Sequence, residues 1–164
     1  LPQKARVNNM SKRRRSSFNR ASRPVDKALI SIAKSTVDGT QVSTTLVSTN
    51  FPCTIMGVRW SLSFDRSAGT GTANTRWAIV KVDDGDTANT MDLTDGNAFY
   101  QPEQNVLAYG VGAMEDEGPD SIMFQGVTKT MRKMKQGDSI VFIDVGVATN
   151  THNATGVVQL FCKT

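Results

Sequence analysis

The chain has 164 residues, 38% of them hydrophobic, and a formal net charge of +4. That length suits one domain able to bury most of its apolar surface without staples. No apolar run approaches the roughly 20 residues of a bilayer span, so the composition points to a soluble protein and away from a membrane partner. The total charge conceals a split. Residues 1 to 27 carry nine Lys or Arg against Asp26 alone, a charge of +8, whereas the remainder carries ten basic and fourteen acidic groups, a charge of −4.

The first element is therefore an arm, residues 1 to 27, with the body occupying 28 to 164. A block of like charge on an apolar-poor segment cannot bury enough surface to offset its ordering entropy, so in isolation it is expected to be disordered. Its natural partner is a polyanion. The candidate nucleic-acid-binding residues are Lys4, Arg6, Lys12, Arg13, Arg14, Arg15, Arg20, Arg23 and Lys27, with Phe18 as a lone aromatic that could stack on a splayed base or pack on the inner wall of the domain. The chain opens Leu-Pro rather than with methionine, which leaves the full length of the arm open. The dense run SKRRRSSFNR also has the composition of a nuclear localisation segment.

After Pro24 the texture becomes β-branched and alternating. Ala28 to Val37 ends at Asp38-Gly39, a dipeptide suited to tight turns, and Gln41 to Thr49 follows, so the pair predicts a hairpin. Thr54 to Phe64 is the clearest strand, with Met56, Val58, Trp60, Leu62 and Phe64 on one face and Ile55, Gly57, Arg59, Ser61 and Ser63 on the other. A polar loop from Arg66 to Thr75 leads to the strand Arg76 to Val82. Residues 83 to 120 are rich in Asp, Gly and Asn and predict long exposed loops around one or two short strands, with apolar patches at Phe99-Tyr100 and Asn105 to Val111. Ser121 to Phe124 and Thr128 to Met134 come next, a turn at Gln136-Gly137-Asp138, then Ser139 to Ala148. The polar loop TNTHNA precedes the last strand, Thr155 to Lys163. No segment of ten or more residues holds a helical period, so the body is an all-β sandwich or barrel.

Catalytic and metal chemistry find little footing. The single histidine, His152, falls in the TNTHNA loop, where a solvated side chain is expected rather than a general base. Ser31-Ile32-Ala33-Lys34 matches S-x-x-K, but that pair needs a helix and its companion elements are missing. Asp83-Asp84-Gly85-Asp86 and Glu115-Asp116-Glu117 concentrate carboxylates without calcium-loop spacing and are expected to be solvated. Gly69-Thr70-Gly71 lacks the Lys-Ser/Thr that completes a phosphate loop. Asn153-Ala154-Thr155 has the form of a glycosylation sequon but follows no secretory signal. Cys53 and Cys162, far apart in sequence, are expected to be buried thiols of a reducing compartment. Of the aromatics, Trp60 is expected in the core, while Trp77 is open to either reading. No cofactor or metal is called for, and an enzyme is the least favoured class.

The arm SKRRRSSFNR, the strand GVRWSLSF followed by RWAIVKV, and MRKMKQGDSIVFIDV, in which a basic strand turns at Gly-Asp into an apolar one, together resemble the capsid proteins of small circular single-stranded DNA viruses, the circovirus-like group. The resemblance implies one eight-stranded antiparallel jelly roll of two packed four-stranded sheets, closing as about sixty copies into a T=1 icosahedral shell. It implies a single-stranded genome as partner, DNA ahead of RNA, with assembly in the host nucleus. The chain is shorter than typical members, and satellite viruses with RNA genomes have similar armed jelly rolls. Two rival readings remain: an oligonucleotide-binding barrel carrying exposed aromatics, and a secreted trimeric jelly roll whose arm is a cleavage or heparin-binding site.

Overall fold

In the computed structural model the described residues are 26–36, 41–68, 73–88, 105–114, 121–147 and 151–164. They form eight strands: β1 (Asp26–Thr36), β2 (Gln41–Ser48), β3 (Cys53–Ala68), β4 (Ala73–Val82), β5 (Asn105–Met114), β6 (Ser121–Met134), β7 (Ser139–Val147) and β8 (Thr151–Lys163). One sheet has the order β1-β8-β3-β6 and the other β2-β7-β4-β5, and every pairing is antiparallel. This is the jelly roll. Among these strands only β4 and β5 are both consecutive in sequence and paired with each other.

Several expectations are corrected by this topology. β1 and β2 do not form a hairpin, because β1 pairs with β8 and β2 with β7, in opposite sheets. The intervening Asp38-Gly39 lies outside the described residues. The two short segments expected between residues 121 and 134 are one strand, β6, whose exposure alternates along nearly its whole length. β8 begins at Thr151, so most of the expected TNTHNA loop is strand. β3 runs on to Ala68, past the expected loop start. Among the described residues between 83 and 120 the strand is β5, which covers the Asn105 to Val111 patch, while Phe99-Tyr100 and Gly69-Thr70-Gly71 lie outside the described residues.

In β3 the face assignment fails at one end for a specific reason. Gly57 pairs with Phe161 and Ile55 with the adjacent Cys162, so Met56 is an extra residue, a bulge. The alternation is thereby reset. Ile55 turns inward and is fully buried beside Val58, Leu62 and Phe64, and Met56 is only half-buried.

The main core lies between the sheets and centres on Trp77 of β4. Its ring meets Trp60 and Phe124 from the opposite sheet edge-on, with centroids 5.7 Å away in both cases, and Phe142 of β7 nearly parallel at 6.5 Å. Trp77 is therefore core, and Trp60 is half-buried against it. Gly110 of β5 leaves room for the Trp77 indole, which a Cβ would strike. A second apolar cluster covers the outer face of the other sheet: Ala78, Val80 and Val82 of β4 with Val141, Ile143 and Val145 of β7, against which Ala88 and Val106 pack. Buried on both faces, β4 and β7 read as nearly continuous apolar runs, whereas β6, wet on one face, alternates.

Gly156 in β8 adopts φ +148°, and a Cβ there would collide with the backbone of Ser61 and Leu62 in β3. Gly156→Ala is expected to cost about 3 kcal/mol or more, from backbone strain plus overpacking. Urea unfolding of the unassembled chain measures this, and a cost below about 1 kcal/mol would mean β8 approaches β3 less closely.

Candidate functional site

The arm enters the fold at β1, an edge strand of the first sheet. Of the candidate binding residues, Lys4, Arg6, Lys12, Arg13, Arg14, Arg15, Phe18, Arg20 and Arg23 lie outside the described residues. Lys27 is the second residue of β1, paired in register with Phe161.

What the strands do bring together is a basic face. On the outer surface of the first sheet, β1, β8, β3 and β6 place Leu29, Gln159, Arg59 and Val127 in one rank, with Ser31, Val157, Ser61 and Gln125 in the next. In the other direction, Phe161 and Gly57 are in line with Lys129, and beyond the bulge Thr54 lies between Lys163 and Lys133. Arg59, Lys129, Lys133 and Lys163 are exposed. Asp65, at the opposite end and accepting a hydrogen bond from the Ser63 hydroxyl at 3.2 Å, is the one acid on this face among the described residues. Sequence reading missed the face because its cations come from three strands. The signal available was Lys129, Arg132, Lys133 and Lys135, four basic residues in seven positions.

His152 is corrected outright: it is not a solvated loop residue but 1% exposed on β8. Its Nε2 lies 2.8 Å from Asp144 Oδ2 and 3.4 Å from Thr75 Oγ1, and the Thr75 hydroxyl donates to Asp144 Oδ1 at 3.0 Å. Asp144 is on β7 and Thr75 on β4, so the trio ties the two sheets through their interior. The composition is that of a hydroxyl, imidazole and carboxylate relay, but the Thr75 proton is committed to Asp144 and all three groups are buried. As placed, they hold the sandwich together.

A second polar knot closes one end of the sandwich. Asp138, 1% exposed, accepts from the Lys135 N–H at 2.7 Å and the Asp84 N–H at 3.2 Å, and its Oδ2 lies 3.0 Å from Lys81 Nζ, which also pairs with Asp83. Burial pushes the Asp138 carboxyl up, but the Lys135 N–H, the Lys81 ammonium and the Asp84 N–H outweigh it and hold it below the usual carboxylate range. Burial likewise pushes Lys81 down, and its bonds and charge attraction to Asp83 and Asp138 leave it raised. Asp83 thus serves Lys81, and among the described residues no group of three or more His, Cys, Asp or Glu is placed to hold a metal. Glu115-Asp116-Glu117 lies outside them.

The cysteines also depart from expectation. Cys53 at the start of β3 and Cys162 near the end of β8 form no disulfide, are half-buried rather than buried, and are hydrogen-bonded to each other. Burial pushes the Cys53 thiol up, the Cys162 contact lowers it, and the Asp138 charge raises it. Ser31 and Lys34 sit exposed on strand β1, which cannot supply the helical spacing of S-x-x-K.

No protein-family model matches the chain, and no curated protein does. Among solved structures, it is similar to a chain in the structure of infectious bursal disease virus Gt strain, at 16% identity and a TM-score of 0.26, over 99% of this chain. The match spans 47% of that chain, under half its length.

Two outcomes test the polar knots. Asp144→Ala removes the carboxylate that both the Thr75 hydroxyl and His152 Nε2 meet, leaving them only their 3.4 Å contact with each other, and is expected to cost about 3 kcal/mol in urea unfolding, against about 1 kcal/mol for Thr75→Val. Equal costs would contradict the cross-sheet tie. For Asp138, a depressed carboxyl gives stability that is present above the ordinary carboxylate range and lost as pH falls through its lowered value. Raised Lys81 gives stability present below the ordinary lysine range and lost as pH rises through its raised value. Asp138→Asn should therefore destabilise the neutral protein by about 2 kcal/mol and flatten the acid limb of a stability–pH curve. An unchanged acid limb would contradict the assignment.

Proposed function

We propose that this chain is a viral capsid subunit that assembles as about sixty copies into a small icosahedral shell and packages a single-stranded genome, DNA ahead of RNA, through its arm. The observation that carries this reading is the charge split: +8 on residues 1 to 27, joined to an edge strand of a jelly-roll body carrying −4. About sixty arms bring about 480 positive charges to one side of a shell, enough to offset several hundred phosphates. One monomer binding one site needs nothing on that scale.

The arm acts on phosphates rather than base edges, since flexible Arg and Lys side chains have no fixed geometry for reading sequence. Packaging is then sequence-tolerant and strongly salt-dependent. If all nine cations meet single-stranded phosphates, log affinity falls against log salt with a slope of about −6. The role is binding and assembly rather than catalysis, in the virion and, for a DNA genome, in the host nucleus during assembly. The jelly-roll order of the two sheets speaks against the barrel rival.

Deleting residues 1 to 24 is expected to leave a folded body that assembles poorly or forms empty shells. Nuclease digestion followed by quantification of protected nucleic acid reads this directly. Particles of the truncated chain that protect as much as the full chain would sink the proposal.

A further inference from the structure

On the outer face of the first sheet four cations gather with a single acid among the described residues. Arg59, Lys129, Lys133 and Lys163 stand against Asp65, a net +3, and taking these five out of the body's −4 leaves −7 on the rest. The body is therefore polarised. The cations are also at one end: Thr54, between Lys163 and Lys133, is one rank beyond Ile55, Cys162 and Asp26. Asp26 is the first residue of β1, so the arm joins the fold at the basic end of this same face.

The rest of the surface adds hydrogen-bonding and apolar groups to these cations. A hollow of about 500 Å³ is lined by Leu29, Arg59, Ser61, Gln125, Val127 and Gln159, which mix one cation with hydrogen-bonding and apolar side chains. Next to it the half-buried Phe161 lies against Gly57, where an added Cβ would stand 3.7 Å from the ring, in the rank that ends at Lys129. A ring among phosphate-pairing cations suits unstacked bases. Leu29 is 70% exposed and Val127 60%, and no described residue covers either.

We infer that this face is a second nucleic-acid surface, on which Arg59, Lys129, Lys133 and Lys163 take phosphates of single-stranded nucleic acid and Phe161 takes a base. It rests on the packaging reading above and extends it from the arm to the shell wall. The strand leaving the arm passes onto a rigid sheet, so part of the packaged polymer is held at fixed positions rather than only neutralised.

The test compares three full-length chains: the unaltered one, a face variant (R59Q, K129Q, K133Q, K163Q) and an arm variant (R13Q, R14Q, R15Q). The probe is an oligothymidylate in salt titrations, together with protected nucleic acid per particle. The face variant should lower the salt slope by about 3, four contacts at about 0.7 each, and reduce protected nucleic acid, while the charge-keeping variant K129R/K133R/K163R restores both. An unchanged slope in the face variant alongside a reduced one in the arm variant overturns this inference and leaves the packaging reading standing. Absence of nucleic acid from the unaltered particles overturns the packaging reading itself. A face variant that binds oligothymidylate like the unaltered chain but no longer assembles assigns the face to subunit contacts and also overturns the inference. Formaldehyde cross-linking of unaltered particles gives a reading independent of variant folding: cross-links at Lys129, Lys133 or Lys163 are expected, and cross-links confined to the arm overturn the assignment.

Discussion

Trp77 is the point at which the two sheets are locked to each other. It meets Trp60 and Phe124 across the interior and Phe142 within its own sheet, so three neighbours set both the spacing and the registration of the layers. Edge-to-face aromatic pairs add a directional preference to burial that aliphatic cores lack. Phe124 passes the contact on to Phe64 at 5.5 Å, and Phe64 in turn lies 5.8 Å from the ring of His152. The apolar lock and the polar Thr75–Asp144–His152 tie are thus one continuous column, running from the middle of the sandwich toward the start of β8.

With stability concentrated inside and, on the β4–β7 side, under a second apolar cluster, the outer face of the first sheet is released from structural duty. Its side chains can be exposed, basic and variable in kind at little cost to the fold. That division explains how a body of net negative charge can still present cations in one direction. The shell reading and the second-surface inference both depend on it: among the described residues Arg59, Lys129, Lys133 and Lys163 share the outer face of the first sheet with one acid, Asp65.

How much of this was legible in the sequence depended on the distance over which each feature is encoded. Strand existence was legible wherever one face is wet, as in β3 and β6, because a period of two is written in consecutive residues. Pairing was not, since in a jelly roll nearly every neighbour is remote in sequence, and the nearest-neighbour rule produced a β1–β2 hairpin that does not exist. The bulge at Met56 inverted the faces at the start of β3, which no periodicity can announce. His152, read as wet because its flanks are polar, is dry because Asp144 and Thr75 reach it from the other sheet. The arm's charge was legible as a run, but the basic face was not, for Arg59, Lys129 and Lys163 meet only through the register of β3 with β6 and β8.

Under the proposed function, this charge-split jelly roll is a shell subunit whose positive side faces a polyanion. Native mass measurement of the purified full-length chain, by mass photometry or negative-stain microscopy with absorbance read at the nucleic-acid band, tests it most directly. The account predicts closed particles of about sixty copies carrying nucleic acid. A monomer, dimer or trimer that stays small in the presence of single-stranded nucleic acid would contradict it.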